Sequence, residues 1–193
     1  MSDSGQPPGA IQAYTLGNEP VPQLPVPGVR FIRFHTRLRR QLAEVMHITE
    51  AEIDRRYALG NRAYVALLDD DTIVGYGWVS YDCIRIYELG LEIPLPPGHA
   101  YIWDCATVDR YRGRGIFPGL LRFMLEDLRQ QGITHVWAGV APGNTASLRS
   151  FARAGFRLVA ETTITDSQFE ARPTAAATQE EAAALRALRA TLR

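Results

Sequence analysis

The chain of 193 residues is long enough to form a domain with a substantial buried core. Its 46% apolar and 22% charged residues are ordinary for a globular protein, and its formal net charge is zero. A neutral chain gives no electrostatic support for nucleic acid or for an anionic membrane, and no apolar run approaches the length of a transmembrane helix. We therefore expect neither a nucleic-acid partner nor a membrane partner.

The cysteines and the first residues bear on where the protein works. The chain has only two cysteines, Cys83 and Cys105, so no disulfide framework is implied. The polar, glycine- and proline-rich residues 1–10 lack the charged and apolar regions of a signal peptide. Together these features predict a cytoplasmic protein with reduced thiols.

The first 60 residues predict an arm, a strand and two helices. Residues 1–28 are rich in proline and lack a clear periodicity, which predicts an irregular arm. Alternating apolar and basic residues over 29–34 predict a strand. Helical spacing over 37–46 and a capping-box pattern starting at Thr49 predict two helices, the second ending at Gly60.

The next segment predicts a hairpin and a loop. Residues 63–68 and 72–80 are β-prone runs on either side of three aspartates, 69–71, which we interpret as a polar turn and not as a metal site. We expect no metal ion. Residues 83–87 favour a short strand, whereas the prolines of 91–97 predict a loop. Such a loop is either functional or a cover for the sheet edge, and both interpretations stay open.

Residues 100–132 predict a strand, a glycine turn and a helix. The unpaired N–H groups and the positive dipole end of a helix N-terminus attract phosphate. Gly113 and Gly115 allow a ligand to approach the backbone closely at this point. Three arginines of the same turn supply guanidinium donors that suit phosphate: Arg110, Arg112 and Arg114. The turn therefore predicts a diphosphate site.

Two familiar phosphate-binding motifs do not fit this turn. A P-loop requires a lysine, and the chain contains none. A dinucleotide fingerprint requires a third glycine three residues after Gly115, where the chain has Pro118. The spacing Arg110-x-x-Gly113-x-Gly115 resembles instead the Gln/Arg-x-x-Gly-x-Gly/Ala loop of the GNAT acyltransferase superfamily, which holds the pyrophosphate of acetyl-CoA.

A downstream segment carries the second part of this resemblance. Residues 133–140 predict a buried strand, and Asn144 can cap a helix through Ala152 that Gly155 ends. The order is similar to the second signature of the family: a strand, Asn, two residues, Ala or Ser, an apolar helix face and Gly-Phe. The two signatures together cover about residues 101–161. By this resemblance the chain is identified as a member of the GNAT N-acetyltransferases.

The resemblance implies an α/β fold with a mixed, mostly antiparallel central sheet and flanking helices. The strand ending at Val108 would splay from the strand starting at Ile133 and leave a V-shaped cleft for acetyl-CoA. Backbone groups near Cys105 and Thr107 would bind the acetyl carbonyl and the pantetheine arm. The full cofactor-binding set implied by the resemblance is Cys105, Thr107, Val108, Arg110, Tyr111, Arg112, Gly113, Arg114, Gly115, Ile116, Asn144 and Ser147.

The sequence departs from the family pattern at the catalytic positions. Many relatives carry a proton-donating tyrosine seven residues after the Asn, where this chain has Phe151. Some carry a glutamate five residues before the Asn, where this chain has Gly139. The catalytic candidates are Asp104 and Glu92 as bases and Ser150 as an acid, with Glu88, His99, a water chain and Tyr81 as alternatives. A purely structural role for Asp104 is equally open.

The resemblance implies an enzyme that moves an acetyl group from acetyl-CoA to a primary amine by direct attack. The acceptor is a small metabolite, an amino sugar or a protein N-terminus. Because the usual tyrosine and glutamate are missing, a second interpretation is a non-catalytic acyl-CoA-binding sensor or interaction module. We expect an arm over residues 1–28, an acyltransferase domain over 29–170 and a helical extension over 171–193. A capping box at Thr178 begins that last helix, which either docks, supports a homodimer or forms a loose tail.

Overall fold

The fold is described here from a computed structural model that covers residues 9–86, 91–165, 168–187 and 190–191. The strands in these ranges are β1 Gly9–Thr15, β2 Arg30–Arg33, β3 Arg62–Leu67, β4 Ile73–Ser80, β5 Cys83–Ile86, β6 Leu91–Pro94, β7 His99–Thr107, β8 His135–Val140, β9 Arg157–Thr165, β10 Gln168–Pro173 and β11 Ala190–Thr191. The helices are α1 Arg39–Met46, α2 Glu50–Ala58, α3 Ile116–Gln130, α4 Thr145–Arg153 and α5 Gln179–Ala187. Within the described ranges, no helix combines the length and the apolar character needed to cross a membrane.

One large sheet carries the fold, in the order β11-β10-β9-β1-β8-β7-β4-β3-β2, and β5 and β6 form a separate hairpin. Its neighbouring strands are antiparallel except for the parallel pair β7 and β8. Helices α3 and α4 pack on one face of the sheet, and α1, α2 and α5 pack on the other. The prediction of a mixed, mostly antiparallel sheet flanked by helices is confirmed.

A cleft opens where the two parallel strands separate. The register of β7 and β8 begins at the pair His99 and His135 and ends at the pair Ile102 and Ala138. Beyond Ile102, β7 continues along β4 as far as Thr107, while β8 runs on to Val140 without it. The sheet therefore splits between two adjacent strands and leaves a V-shaped opening with its closed end at Ile102.

A β-bulge lies on β7 beside this opening. The register with β4 shifts between Trp103 and Ala106, and Asp104 adopts a left-handed backbone with φ 44°. The opposite residue is Gly77, at which a Cβ atom would lie 2.8 Å from the Cys105 sulfur. Glycine is needed there because Cys105 points across the sheet toward α3. The bulge directs the side chain of Asp104 to the opposite face, toward α2.

The N-terminal part of the chain differs from the predicted irregular arm. Residues 9–15 form β1, which lies between β8 and β9 and pairs with both. The side chains of Ala10 and Ala13 are buried on opposite faces of the sheet, so the strand lacks the apolar and polar alternation that would have predicted it. The first described residues therefore form a strand in the interior of the sheet.

The segment after β4 also differs from the prediction. Residues 91–94, expected to be a loop because of their prolines, form β6 and pair with β5. Pro94 is the last residue of that strand, a position that proline tolerates because the ladder ends there. Glu88 and the end of the predicted strand 83–87 lie outside the described residues.

The C-terminal part confirms the predicted capping box. The Thr178 N–H donates to Glu181 Oε2 at 2.7 Å, and the Glu181 N–H donates to Thr178 Oγ1 at 3.2 Å. Helix α5 ends at Ala187 and is followed by β11, so it stops before the C-terminal residues to which it was expected to extend. Leu185 of this helix is buried against Trp137 and Val159, and the helix is thus docked on the sheet.

Candidate active site

A cavity of about 720 Å³ lies at the open end of the cleft, between the end of β7, the start of α3 and the start of α4. Its walls come from these three elements and from the turn between β7 and α3. The lining residues are Cys105, Ala106, Thr107, Tyr111, Arg112, Gly113, Gly115, Ile116, Phe117, Pro118, Asn144, Ala146, Ser147, Arg149, Ser150 and Arg153.

Most of the residues implied as cofactor-binding line this cavity. Val108, Arg110 and Arg114 do not. The guanidinium groups of Arg110 and Arg114 lie 5.0 and 5.2 Å from the centroid of the Tyr111 ring, so they stack at the outside of the turn.

Sequence reasoning missed a further group of lining residues: Ala106, Phe117, Pro118, Ala146, Arg149 and Arg153. A signal for the last two was present, since Arg149 and Arg153 are four residues apart on the predicted helix and share one of its faces. Among the described residues neither has an acidic partner, so both guanidinium groups face the cavity rim without a counter-charge. Together with Arg112, which is exposed and pairs with Asp109 at 2.8 Å, they make this rim basic.

The start of α3 has the backbone geometry of an anion site. Gly115 is the N-cap with φ 79°, and no side chain caps the helix. A Cβ atom at Gly113, where φ is 77°, would meet nothing within 4 Å. At Gly115 it would meet only the guanidinium tip of Arg153, at 3.8 Å. The exposed N–H groups of the first turn therefore face open space that a phosphate could fill.

Two polar side chains at the cavity, Thr107 and Asn144, differ in the hydrogen bonds that they already make. The Thr107 hydroxyl is buried and has no hydrogen-bond partner among the described residues. Because an unsatisfied buried hydroxyl costs about 1–3 kcal/mol, a partner from a ligand or water is favoured there. Asn144 caps α4 by accepting the Ser147 N–H on Oδ1 at 3.1 Å, so its carbonyl is in use and its amide N–H₂ is the group it can offer a ligand.

Cys105 lines the cavity but is a poor nucleophile. Burial raises the pKa of its thiol, with a smaller contribution from the charge of Asp104. Its Sγ donates to the Trp103 carbonyl at 3.3 Å. A thiol that stays protonated cannot take up an acyl group readily, so the site favours direct transfer over a cysteine-bound intermediate.

Asp104, the first candidate base, lies outside the cavity lining and on the opposite face of β7. Its carboxylate accepts a hydrogen bond from Arg56 at 2.6 Å. The guanidinium of Arg56 lies over the rings of Trp78 and Trp103, at 5.0 and 4.7 Å from their centroids, and also pairs with Glu52. This arrangement fixes the bulge to α2, which is a structural role for Asp104.

The other two catalytic candidates, Ser150 and Glu92, lie in different places, and the position of the usual tyrosine is buried. Ser150 lines the cavity and donates to the Ala146 carbonyl at 3.0 Å. Glu92 is exposed on β6, and it does not line the cavity. Phe151, at the position of the usual tyrosine, is 4% exposed and packs edge-on against Phe117 and Phe156. An added hydroxyl there would need a partner inside this apolar cluster.

A cluster of His99, His135 and Glu180 brings three ligand-type atoms within 4.8 Å of one another. Its geometry does not suit a metal. Trp137 Nε1–H donates to His99 Nδ1 at 3.0 Å, whereas the second nitrogen of a ligating histidine normally donates. The two imidazoles stack at 4.6 Å with an angle of 26°, so their in-plane lone pairs do not converge. Burial lowers the pKa of His99, which keeps that ring neutral.

Comparisons with known proteins identify the class of protein to which this cavity belongs. A family model described as the acetyltransferase (GNAT) family matches residues 32–156. The match spans more than half of the chain. The protein therefore belongs to the GNAT family of acetyltransferases.

The individual proteins that match this chain are only distantly related to it in sequence. Streptothricin acetyltransferase of Streptomyces lavendulae is 28% identical over 96 residues, which are 50% of this chain and 44% of that protein. L-2,4-diaminobutyric acid acetyltransferase of Nocardia farcinica is 29% identical over 77 residues, 40% of each chain. This chain therefore matches less than half the length of either relative. The crystal structure of a GCN5-related N-acetyltransferase from Sphaerobacter thermophilus superposes on this protein with a TM-score of 0.58 and 19% sequence identity. The superposition covers 79% of this chain and 49% of that one, and it shows that the two proteins share a fold.

Proposed function

We propose that this protein transfers the acetyl group of acetyl-CoA to the primary amine of a small molecule. The observation that carries the proposal is the basic cavity at the uncapped start of α3, which opens into the cleft between β7 and β8. A diphosphate on a flexible arm fits such a site, because the phosphates can bind the helix N–H groups while the arm follows the strand.

The residues that line the cavity are chemically suited to bind acetyl-CoA. The first-turn N–H groups of α3 and the guanidinium of Arg112 would bind the pyrophosphate, and Arg149 and Arg153 would bind further phosphate at the rim. The unpartnered Thr107 hydroxyl and the backbone of β7 beyond the bulge would hydrogen-bond the amide-bearing arm. The bound thioester supplies an activated acyl group.

The chain's own part in the reaction is orientation and proton handling. An amine on the α2 side of the cleft attacks the acyl carbon, so that a C–N bond forms, the C–S bond breaks and the amine loses a proton to solvent. No acid at position 151 is required, since a thiol with a pKa of about 8.5 can leave as its thiolate. The buried, protonated thiol of Cys105 supports this direct route.

The names of two relatives support a small-molecule acceptor. Streptothricin and L-2,4-diaminobutyric acid are both small molecules that carry amino groups, and the matched segments include half or nearly half of this chain. An amino sugar and a protein N-terminus are the other acceptors to be compared. Since the matches are partial, the acceptor of this chain is part of the proposal.

A panel assay tests the proposal. The purified protein is incubated with acetyl-CoA and one of four acceptors: streptothricin, L-2,4-diaminobutyric acid, an amino sugar or a peptide with a free N-terminus. Free thiol is measured with time, and the acetylated product is identified by mass. Turnover with at least one small amine, and saturable acetyl-CoA binding in calorimetry, is the expected result. Absence of acetyl-CoA binding would contradict the cavity assignment.

The second candidate function is a non-catalytic acyl-CoA-binding module. It is favoured by Phe151, where many relatives have a tyrosine, and by Gly139, where some have a glutamate. Its signature in the same experiment is tight acetyl-CoA binding without thiol release for any acceptor. The two functions therefore give opposite outcomes in one assay.

A further inference from the structure

The space beside Gly139 is filled by another residue. A Cβ atom built at Gly139 would lie 2.6 Å from the hydroxyl oxygen of Tyr101 and 3.8 Å from its Cζ. Tyr101 belongs to β7 and is paired with Trp137 on β8, two residues before Gly139. The phenol therefore reaches forward over β8 and puts its hydroxyl where a side chain at position 139 would start.

This hydroxyl stands at the closed end of the cleft. The parallel pairing ends at Ile102 and Ala138, so Gly139 is the first residue of β8 beyond it. Val136 and Ala138 face α3, whereas Trp137 packs with Leu185 on the opposite face. Side chains alternate along a strand, so Gly139 and the Tyr101 hydroxyl lie on that opposite face, away from the cosubstrate cavity.

We propose that Tyr101 is a catalytic residue of the acetyl transfer, whose hydroxyl contacts the acceptor nitrogen at the closed end of the cleft. This inference rests on the proposed function, because it names the group that handles the acceptor in that reaction. A phenol can accept an N–H hydrogen bond on its oxygen while its own O–H donates to a neighbouring group. It orients the amine lone pair toward the acyl carbon and passes the proton released on C–N bond formation to solvent, while the C–S bond breaks.

The same geometry explains why position 139 is glycine. Any larger residue would displace the phenol hydroxyl, since 2.6 Å is too short for a Cβ contact. Tyr101 on one strand and Gly139 on the next therefore act as a matched pair. A tyrosine that merely filled space would tolerate loss of its hydroxyl, and this difference makes the inference testable.

Two single variants and their combination test the pair. Tyr101→Phe removes the hydroxyl and keeps the ring, and Gly139→Ala pushes the phenol away. Each is expected to lower kcat about 100-fold, with the KM for acetyl-CoA and the melting temperature unchanged. The double variant should be no worse than either single variant, since both remove one interaction. Tyr14→Phe is the control, because Tyr14 packs edge-on against Phe156 away from the cleft.

The outcomes separate the two proposals. If the wild type turns over an amine and Tyr101→Phe keeps its kcat, the role of Tyr101 is wrong and the acetyltransferase function stands. Additive losses in the double variant would also overturn the matched pair. If the wild type binds acetyl-CoA but acetylates no acceptor in the panel, the proposed function fails, and the catalytic role of Tyr101 fails with it.

Discussion

The two glycines of the turn before α3 show how single residues define the cosubstrate site. Both have a left-handed backbone, with φ of 77° at Gly113 and 79° at Gly115, and both leave open the space in front of the helix N-terminus. Side chains that carry a Cβ are strained in this conformation, by roughly 1–2 kcal/mol. A substitution at Gly115 therefore combines backbone strain with a group that protrudes into the proposed phosphate site.

Gly115→Val is expected to lower the affinity for CoA at least tenfold in calorimetry. The matched control is Gly132→Val, since Gly132 has φ 82° and an equally open Cβ position but lies at the far end of α3. The control carries the same kind of backbone strain without touching the cavity, so it should bind CoA like the wild type. Equal CoA affinity of both variants and the wild type would contradict the pyrophosphate assignment.

For individual residues, the sequence predicts those site positions that depend only on spacing along the chain. The arginine and glycine pattern of the turn is local, and most of the predicted residues do line the cavity. The position of Tyr101 is not legible from spacing, because it depends on a side chain of β7 reaching over β8. For Asp104 the sequence leaves a catalytic and a structural role equally open, since its partner Arg56 is brought close only by the docking of α2.

Among the elements, α3 is tied to the segment that follows β1 by several hydrogen bonds, one of which is accepted by the Glu126 carboxylate. Glu126 accepts the backbone N–H of Val21 at 2.9 Å and pairs with Arg129 at 2.7 Å. The hydrogen bond from Arg129, followed by that from Val21, lowers the pKa of Glu126 to about 2. The ionised form therefore contributes to this contact, beside the hydrogen bonds from Arg129 to the Asn18 carbonyl and from Gln23 to the Arg122 carbonyl.

The pKa shift of Glu126 predicts a pH-dependent contribution to stability. Because its folded-state pKa lies below the unfolded value of about 4.3, the contribution is present above pH 4.3 and is lost as the pH falls toward 2. Glu126→Gln should therefore lower the free energy of unfolding at pH 7, and the gap to the wild type should narrow in urea titrations toward pH 2. Glu44→Gln, on an exposed pair with Arg40, is the control. A gap that is constant with pH would contradict this account.

Element predictions succeeded where chemistry is local. Both predicted N-caps form, with the Glu52 N–H donating to Thr49 Oγ1 and the Glu181 N–H donating to Thr178 Oγ1, each at 3.2 Å. The Glu181 carboxylate completes the second capping box, whereas the Glu52 carboxylate pairs with Arg55 and Arg56. The strands β1 and β6 were missed for physical reasons. β1 is covered on both faces and shows no alternation, and β6 carries a proline that its terminal position tolerates. Nothing within either segment encodes the partner strand that determines its conformation.

For the whole molecule, α5 is joined to the sheet by a buried ion pair. Glu181 is 1% exposed and pairs with Arg157 of β9 at 2.6 Å. Burial raises the pKa of Glu181, but the hydrogen bonds from Arg157 and Thr178 outweigh it and lower the pKa overall. The carboxylate thus serves both the ion pair and the capping box of α5.

Removing this carboxylate should loosen the C-terminal part of the molecule. Glu181→Ala leaves the Arg157 guanidinium without its buried carboxylate partner and the Thr178 N–H without its acceptor, at a cost of about 3 kcal/mol in urea unfolding. Glu170→Ala is the matched control, because its pair with Arg172 is exposed and long at 3.5 Å. The affinity for CoA should be retained, since α5 lies on the opposite face from the cavity. Equal stability of the two variants would show that α5 is not held by this pair.

The family resemblance, carried by two short signatures, predicted the sheet type and the splayed strands. It did not predict the strand order, because that order includes a strand from outside both signatures.

The position of β1 also has a consequence for the order in which the protein folds. Ala10 pairs with both Val140 and Glu161, so this strand leaves the ribosome long before either neighbour exists. Strands β2, β3, β4 and β7 can pair largely in the order of synthesis, whereas the centre of the sheet must wait for β9. Contacts so distant along the chain give a high contact order, which slows folding. During that wait β1 is a mostly apolar segment with two unpaired edges, and segments of this kind are prone to aggregate.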